Sequence, residues 1–192
     1  MKIFASQVLL GQKLELIHNQ IITIEQSKIT AIVSGTSSDA DIVIQGNKTL
    51  LPGLIDCHSH LALDARIFGH LDMMEDCEAK QTIRALVSLQ DNLKAGITGM
   101  RSLGDRYYLD ILLRNMIQEK TLEGPWLQVA GIGMKGLHGH GYVGKGFSGV
   151  EEFQRQSREN LFRGADWLKI FITPGAPPKN WQHSCFSFSR RG

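Results

Sequence analysis

Two histidines one residue apart, His58 and His60, end an apolar segment that begins at Leu51. On an extended backbone alternate side chains share a face, so both imidazoles should point to one side, with the Asp56 carboxylate one step deeper. Neutral imidazole binds zinc, iron, nickel or copper, and a site that adds carboxylate-type ligands and stays open to water is the catalytic kind. The pattern predicts a hydrolytic metal site; the alternative is two polar histidines in a loop.

A second unusual residue is Lys169, which interrupts the apolar run from Trp167 to Ile172. We expect a buried parallel strand here, where an ammonium needs a partner or a changed chemical state. One solution is an ion pair, or a side chain that extends its ammonium into solvent. The other is reaction of the neutral amine with carbon dioxide, which gives a carbamate able to bridge two metal ions. In the same chain as a His-x-His strand, the carbamate is favoured.

Length and composition favour a soluble globular protein of one or two modest domains, with 192 residues of which 42% are hydrophobic. Lysine and arginine total 21 against 19 aspartates and glutamates, and the charges are scattered, so no nucleic-acid partner is expected. No segment is long and apolar enough for a signal peptide or a membrane span. Three cysteines without paired spacing, Cys57, Cys77 and Cys185, fit a reducing compartment, and we expect a cytoplasmic protein.

The pattern of apolar residues changes near residue 50, which predicts a boundary between two domains. Before it, short runs separated by turn residues predict a small β-domain over residues 1–50, with strands at Leu14–Ile17, Ile21–Ile24, Ile29–Val33 and Asp41–Ile44. After it, strands alternate with helices, as in the βα units of a parallel sheet. The expected order is strand 54–60, helix 78–95, strand 97–101, helix 106–120, strand 126–131, helix 149–163 and strand 167–173.

The third of these helices carries both a start signal and an apolar face. Ser148 followed by Glu151 has the capping-box pattern, and Val150, Phe153 and Leu161 are expected to be buried. Beyond residue 173, prolines and glycines break the regular pattern, so residues 174–192 are expected to form an irregular tail.

Three segments together resemble the metal-dependent amidohydrolase superfamily, in particular its imidazolonepropionase-like and Xaa-Pro dipeptidase-like branch. They are Pro-Gly-Leu-Ile-Asp-Cys-His-Ser-His at 52–60, Ala-Gly-Ile-Thr-Gly-Met-Arg-Ser-Leu-Gly-Asp at 95–105 and Gly-Ala-Asp-Trp-Leu-Lys-Ile at 164–170. The resemblance covers residues 1–173. It implies an α/β fold, namely a partial TIM-type (β/α) barrel of about four βα units over residues 51–173, preceded by a small N-terminal β-sandwich portion at 1–50.

The resemblance also implies roles for single residues. His58 and His60 would ligate the more buried metal ion, and Lys169, carbamylated by carbon dioxide, would bridge a pair of divalent ions, zinc being the first choice. Arg101 and Asp105 match a signature after the second barrel strand, where structural or supporting roles at the barrel mouth are expected rather than chemistry.

A glycine-rich loop after the third barrel strand, residues 131–142, matches approximately a substrate loop of related enzymes. By that resemblance His138, His140 and Tyr142 would orient a substrate carboxylate or amide. The alternative is a flexible surface loop.

Several parts of the implied site have no counterpart in this sequence. Relatives take further histidines from the fifth and sixth strands, and from the eighth an aspartate that shuttles protons, so no catalytic residue is assigned here. His183 follows Lys169 too closely to come from a next parallel strand. A complete barrel takes about 250 residues, so we expect a chain truncated after its fourth barrel strand, with two exposed sheet edges.

The resemblance implies a hydrolase that cleaves C–N bonds of a small substrate, such as a dipeptide or cyclic amide, through a metal-activated water. Two other functions remain open. The chain could be an inactive fragment that self-associates as a homo-oligomer or pairs with a missing C-terminal half. It could also be a metal-storage or sensor module using His58, His60, His138 and His140.

Overall fold

The structure, a computed structural model, describes residues 1–64, 66–67, 72–137, 139 and 146–172 of this chain. It divides into two compact units, Met1–Gly53 and Leu54–Gly192. The predicted tail at 174–192 lies outside the described residues. Within the described ranges, no helix combines the length and apolar character that crossing a membrane would require.

The first unit holds a four-stranded sheet built around its first strand. The strands are β1 (Lys2–Leu10), β2 (Glu15–Glu25), β3 (Lys28–Ser34) and β4 (Ile42–Ile44). Their order is β3-β2-β1-β4; β1 and β4 run parallel and the other pairs are antiparallel. Ala5, Val8 and Ile22 form the buried centre of this unit.

Two strand predictions in this unit are wrong. The sequence pattern did not predict β1, and the runs at 14–17 and 21–24 belong to one strand. Asn19 interrupts the ladder with a left-handed φ of 53°, but pairing with β1 resumes on both sides, at Gln7 with His18 and Ala5 with Gln20. Asparagine tolerates this backbone conformation better than most residues, so the turn-like His-Asn pair does not end the strand.

The second unit is mixed α/β and follows the predicted alternation of strands and helices. Its elements are β5 (Leu54–Ser59), α1 (Glu78–Lys94), β6 (Ile97–Ser102), α2 (Leu109–Gln118), β7 (Trp126–Gln128), β8 (Met134–Lys135), α3 (Gly149–Phe162) and β9 (Ile170–Phe171). β5, β6 and β7 form a parallel sheet in chain order, and β8 pairs in parallel with β9.

One apolar cluster joins this sheet to the first two helices. Met100 of β6 and Leu127 of β7 are buried with Leu89 of α1 and Leu113 of α2. The cluster places both helices on one face of the sheet, as expected for βα units. The predicted start of α2 at residue 106 is wrong, because Arg106–Tyr108 form a short 3-10 helix in which Tyr107 and Tyr108 have positive φ.

The strands on either side of α3 are shorter than predicted. β7 ends at Gln128 because the next backbone N–H groups donate to side chains: Val129 to Asp166, and Ala130 and Gly131 to Asp110. These groups are then unavailable to a neighbouring strand. The predicted strand 167–173 is therefore reduced to Ile170–Phe171, and residue 173 lies outside the described part of the chain.

The predicted buried face of α3 is wrong in two of its three residues. Val150 and Leu161 are 71% and 53% exposed, whereas Phe153 is half-buried, with its ring centroid 5.6 Å from that of Phe147. The fully buried residue of this helix is the polar Asn160, which hydrogen-bonds the backbone of Ile132 in the chain after β7. The N-terminus differs too, since the Ser148 N–H donates to Glu152, at 2.6 Å, instead of pairing with Glu151.

Candidate metal centre

His58 and His60 lie at the carboxyl end of β5, where the structure brings their rings together. The ring centroids are 6.2 Å apart and the ring planes are inclined by 66°. Both residues and Asp56 border one cavity of about 420 Å³, whose other wall includes Ser88 and Asn92 of α1. The two imidazoles thus share one side of the strand end with the Asp56 residue.

The imidazole of His60 is held in one orientation. Its Nδ1 lies 2.7 Å from the carbonyl oxygen of Gly104, in the turn after β6. A carbonyl oxygen only accepts, so Nδ1 carries the proton and donates it. The Nε2 lone pair is then left available, which is the state that a metal-binding histidine requires.

His58 favours its neutral form. Partial desolvation lowers the pKa of His58, although the residue remains exposed, and the positive charge of Lys169 and the His60 imidazole lower it further. The carboxylate of Asp56 accepts the backbone N–H of His58 at 2.9 Å, so this carboxylate also fixes the local backbone. Neutral imidazole is the form that binds metal ions.

Lys169 lies close enough to His58 for its charge to act on that ring. The expectation of a fully buried, mid-strand lysine is wrong: the residue is half-buried and directly precedes β9, because the ladder with β8 has only two residue pairs. Its backbone carbonyl accepts the Met134 N–H at 2.9 Å, and its Nζ lies 4.6 Å from the centre of the Phe171 ring. A half-buried Lys169 therefore still places its positive charge near the two imidazoles.

The side chains at this site supply only part of the ligand set that a divalent ion needs. Within the ranges that the structure describes, no three histidine, cysteine, aspartate or glutamate side chains cluster as a metal site. His58 and His60 supply two imidazole ligands, one with a free Nε2 and one favoured as neutral. A carbamate on Lys169 would add the carboxylate-type ligand that this set lacks.

Two buried aspartates hold loops at the strand ends of this unit, and one of them, Asp105, supports the loop beside His60. Asp105 accepts the N–H groups of Leu61 and Ala62, which directly follow His60, and the hydroxyl of Ser102. Its position agrees with the supporting role that the resemblance implies. Arg101, by contrast, is exposed; its Nε donates to the carbonyl of Cys57.

The second aspartate, Asp110, was not singled out from the sequence. It accepts the N–H groups of Ala130 and Gly131, both at 2.9 Å, and so ties α2 to the chain after β7. Burial, and then the nearby Asp105 carboxylate, raise the pKa of Asp110 to about 7. An acidic residue in the first turn of a helix indicates N-terminal capping, but nothing local in the sequence indicates that it is buried.

The remaining predicted site residues cannot be placed. His138, His140 and Tyr142 lie outside the described residues, as do His70 and His183. Their predicted roles stay predictions.

Comparisons with known proteins give matches at the level of structure. No family model matches this sequence, and no curated protein matches it either. A prolidase complexed with N-methylphosphonate-L-proline matches with a TM-score of 0.74 and 23% identity, over 95% of this chain and 50% of that one. An Xaa-Pro dipeptidase with bound methionine matches with a TM-score of 0.73 and 26% identity, over 91% and 47%. An amidohydrolase matches with a TM-score of 0.70 and 24% identity, over 92% and 49%.

This chain therefore spans about half the length of the solved structures that it matches. Because these sequences are only about one quarter identical to this chain, the matches show mainly a shared fold. The match to the Xaa-Pro dipeptidase, at 26% identity, adds sequence similarity over most of the chain. The fold and these matches together make the chain similar to solved amidohydrolases, and the motif at 52–60 agrees with that similarity.

Proposed function

We propose that this chain carries the amino-terminal part of a metal-dependent hydrolase of C–N bonds. Its substrate would be a small amide, dipeptide or cyclic amide, and His58, His60 and a carbamylated Lys169 would bind the divalent metal. The observation that carries the proposal is the pair of imidazoles on one cavity, with the Nδ1 of His60 bonded to the Gly104 carbonyl, which leaves its Nε2 unprotonated.

The architecture proposed with this function is a partial TIM-type barrel after a β-sandwich portion. It is supported by three parallel strands in chain order, by helices packed on one face of their sheet, and by the matches to a prolidase and an amidohydrolase. His58 and His60 stand at the carboxyl end of β5, the end where barrel enzymes carry their active sites. We also propose a cytoplasmic location, with which the free thiols of Cys57 and Cys77 agree.

Some residues of this chain would bind the metal ion, and others would orient the side chains that bind it. A bound ion would supply Lewis-acid chemistry, polarising an amide carbonyl and activating water. His58 and His60 would hold that ion, and the Gly104 carbonyl would keep the His60 ring turned. The neutral amine of Lys169 would attack the carbon of carbon dioxide, forming an N–C bond and releasing one proton to solvent, which leaves a carbamate anion.

Metal uptake tests this proposal. We expect the purified chain to bind zinc or manganese in the presence of bicarbonate, measured as metal per chain. The double variant His58→Ala and His60→Ala should lose this metal, whereas His18→Ala, on β2 of the first unit, should keep it. A chain that remains metal-free under these conditions would argue strongly against the proposal.

Carbamylation of Lys169 can be measured separately from metal binding. Labelled bicarbonate should give a carbamate carbon signal in the NMR spectrum, and Lys169→Ala should remove it while Lys94→Ala leaves it. Hydrolysis of a dipeptide panel by the metal-loaded chain would measure whether turnover occurs in this chain alone.

The second candidate function is that of a non-catalytic half that pairs with a second copy or with a carboxyl-terminal half. It is favoured by two exposed apolar side chains, Ile55 of β5 and Trp126 of β7, which are 68% and 58% exposed on either side of Gly99. Across the described residues, β5 has a strand partner on one edge only. A solution mass of one chain at high concentration would argue against this candidate.

A further inference from the structure

A buried turn after β6 contacts the backbone on both sides of His60. Leu103 donates its N–H to the Ser59 carbonyl at 2.7 Å, on one side of the histidine. The Asp105 carboxylate accepts the N–H groups of Leu61 and Ala62, at 3.1 and 3.0 Å, on the other side. The position of His60 is thus fixed by groups about 44 residues away in the chain.

The same turn orients the carbonyl that receives the His60 proton. Gly104 donates its N–H to the Ser102 hydroxyl, which in turn donates to Asp105 at 2.9 Å. Gly104 has a φ of +96°, and an added Cβ would lie 2.8 Å from the backbone nitrogen of Gly133, so only glycine fits. Ser102 and Asp105 are fully buried, which makes each of these hydrogen bonds costly to break.

We propose that Asp105 is a positioning residue for His60: through Ser102 and the backbone of residues 61–62 it keeps the Gly104 carbonyl on Nδ1 and so presents Nε2 as the metal ligand. This inference deepens the proposed function, on which its functional meaning rests. Groups that hold the second nitrogen of a ligand histidine tune metal affinity by 10- to 100-fold.

The protonation of the His60 ring is the direct readout. At pH 8, two-bond ¹H–¹⁵N NMR correlations of the metal-free chain should show Nδ1 protonated and Nε2 bare, with His60 identified by loss of its signals in His60→Gln. In Asp105→Asn we expect a substantial share of His60 to move its proton to Nε2. Zinc titration of the same variant should give binding about 10- to 100-fold weaker.

Asp166→Asn is the matched control. The Asp166 carboxylate also accepts a backbone N–H group after β7, that of Val129, rather than those of the residues beside His60. We expect an unchanged His60 ring signal and a zinc affinity close to that of the parent chain. An equal loss in both variants would mean general destabilisation and would overturn the proposal, as would a folded Asp105→Asn with an unchanged His60 ring.

Ser102→Ala keeps the inference testable if Asp105→Asn fails to fold. It removes the hydroxyl between Gly104 and Asp105 but leaves the carboxylate on Leu61 and Ala62, so we expect a partial shift of the His60 proton. No shift in Ser102→Ala would then overturn the proposal. If the parent chain binds no zinc, the proposed function fails, yet the ring protonation in the metal-free chain still decides whether Asp105 positions His60.

Discussion

Single buried carboxylates decide how the ends of the strands are held in the second unit. Asp105 and Asp110 each accept two backbone N–H groups from a neighbouring loop, where a strand partner would otherwise be needed. Because burial disfavours charge, it raises the pKa of Asp105 as well as that of Asp110. The two acids also act on each other, so their protons come off as a pair.

This pair should give the protein an unusual pH dependence. The pKa of Asp110 is raised to about 7 from an ordinary 3.8, so the folded state favours the protonated acid. The stability that this contributes is complete below pH 3.8, is lost as the pH rises toward 7 and then stays level. We expect the free energy of unfolding to fall by a few kcal/mol, in order of magnitude, between pH 4 and 7, and Asp110→Asn to flatten this slope.

Asp64→Asn is the control for this pH measurement. The hydrogen bonds from Arg66 lower the pKa of Asp64 to about 2, so its contribution changes only below pH 4. Urea unfolding from pH 4.5 to 8 should therefore show the parent slope in this variant. A parent slope that persists in Asp110→Asn would disprove the assignment to Asp110.

At the scale of elements, α3 holds a loop through one buried side chain; we call the two hydrogen bonds between Asn160 and the backbone of Ile132 the polar clamp. The Asn160 side chain donates to the carbonyl of Ile132 at 2.8 Å and accepts its N–H at 3.2 Å, as a neighbouring strand would. Gln156 donates to the same Asn160 oxygen, so the amide is fixed from within its own helix. The helix thereby holds the chain between β7 and β8, where a regular ladder is missing.

Replacing this clamp should destabilise the fold. Asn160→Leu keeps the approximate size but leaves both backbone groups of Ile132 without their partner, and each buried unpaired group costs about 1–3 kcal/mol. We expect a loss of about 2–4 kcal/mol in urea unfolding, whereas Gln154→Leu, on the exposed face of α3, should change stability by less than about 0.5 kcal/mol. Equal stability of the two variants would contradict a clamp at Asn160.

At the scale of the whole molecule, the second unit presents an apolar sheet face to solvent. Ile55 and Trp126 flank Gly99, where an added Cβ would lie 3.5 Å from Ile55 and 3.8 Å from Trp126, so both side chains cover the same face. Since large exposed apolar groups of this kind mark interaction surfaces, the chain should self-associate through this face when no other partner covers it.

Sedimentation measures this association. The double variant Ile55→Thr and Trp126→Gln should weaken self-association by about tenfold or more, because central aromatic side chains dominate most interfaces. Its unfolding free energy should stay close to that of the parent, since both side chains are exposed. Val150→Thr, at an exposed position of α3, should leave association unchanged; weakening by this control alone would place the contact elsewhere.

The sequence by itself determined the order of strands and helices in the second unit and the pair of histidines at one strand end. Both are local: periodicity over a few residues sets the elements, and a spacing of two on a strand puts His58 and His60 on one side. The same reasoning failed where helix α3 buried the polar Asn160 instead of Val150 and Leu161, and where Asn19 stayed within a strand.

Only the tertiary structure decided the environment of those histidines. The Gly104 carbonyl reaches His60 from 44 residues away, and the charge of Lys169 acts on His58 from more than 100 positions later in the chain. Burial of Asp105, Asp110 and Asn160 likewise depends on which distant backbone groups need a partner. Local periodicity carries no information about such pairings, because burial and hydrogen-bond satisfaction are fixed only when the elements pack together.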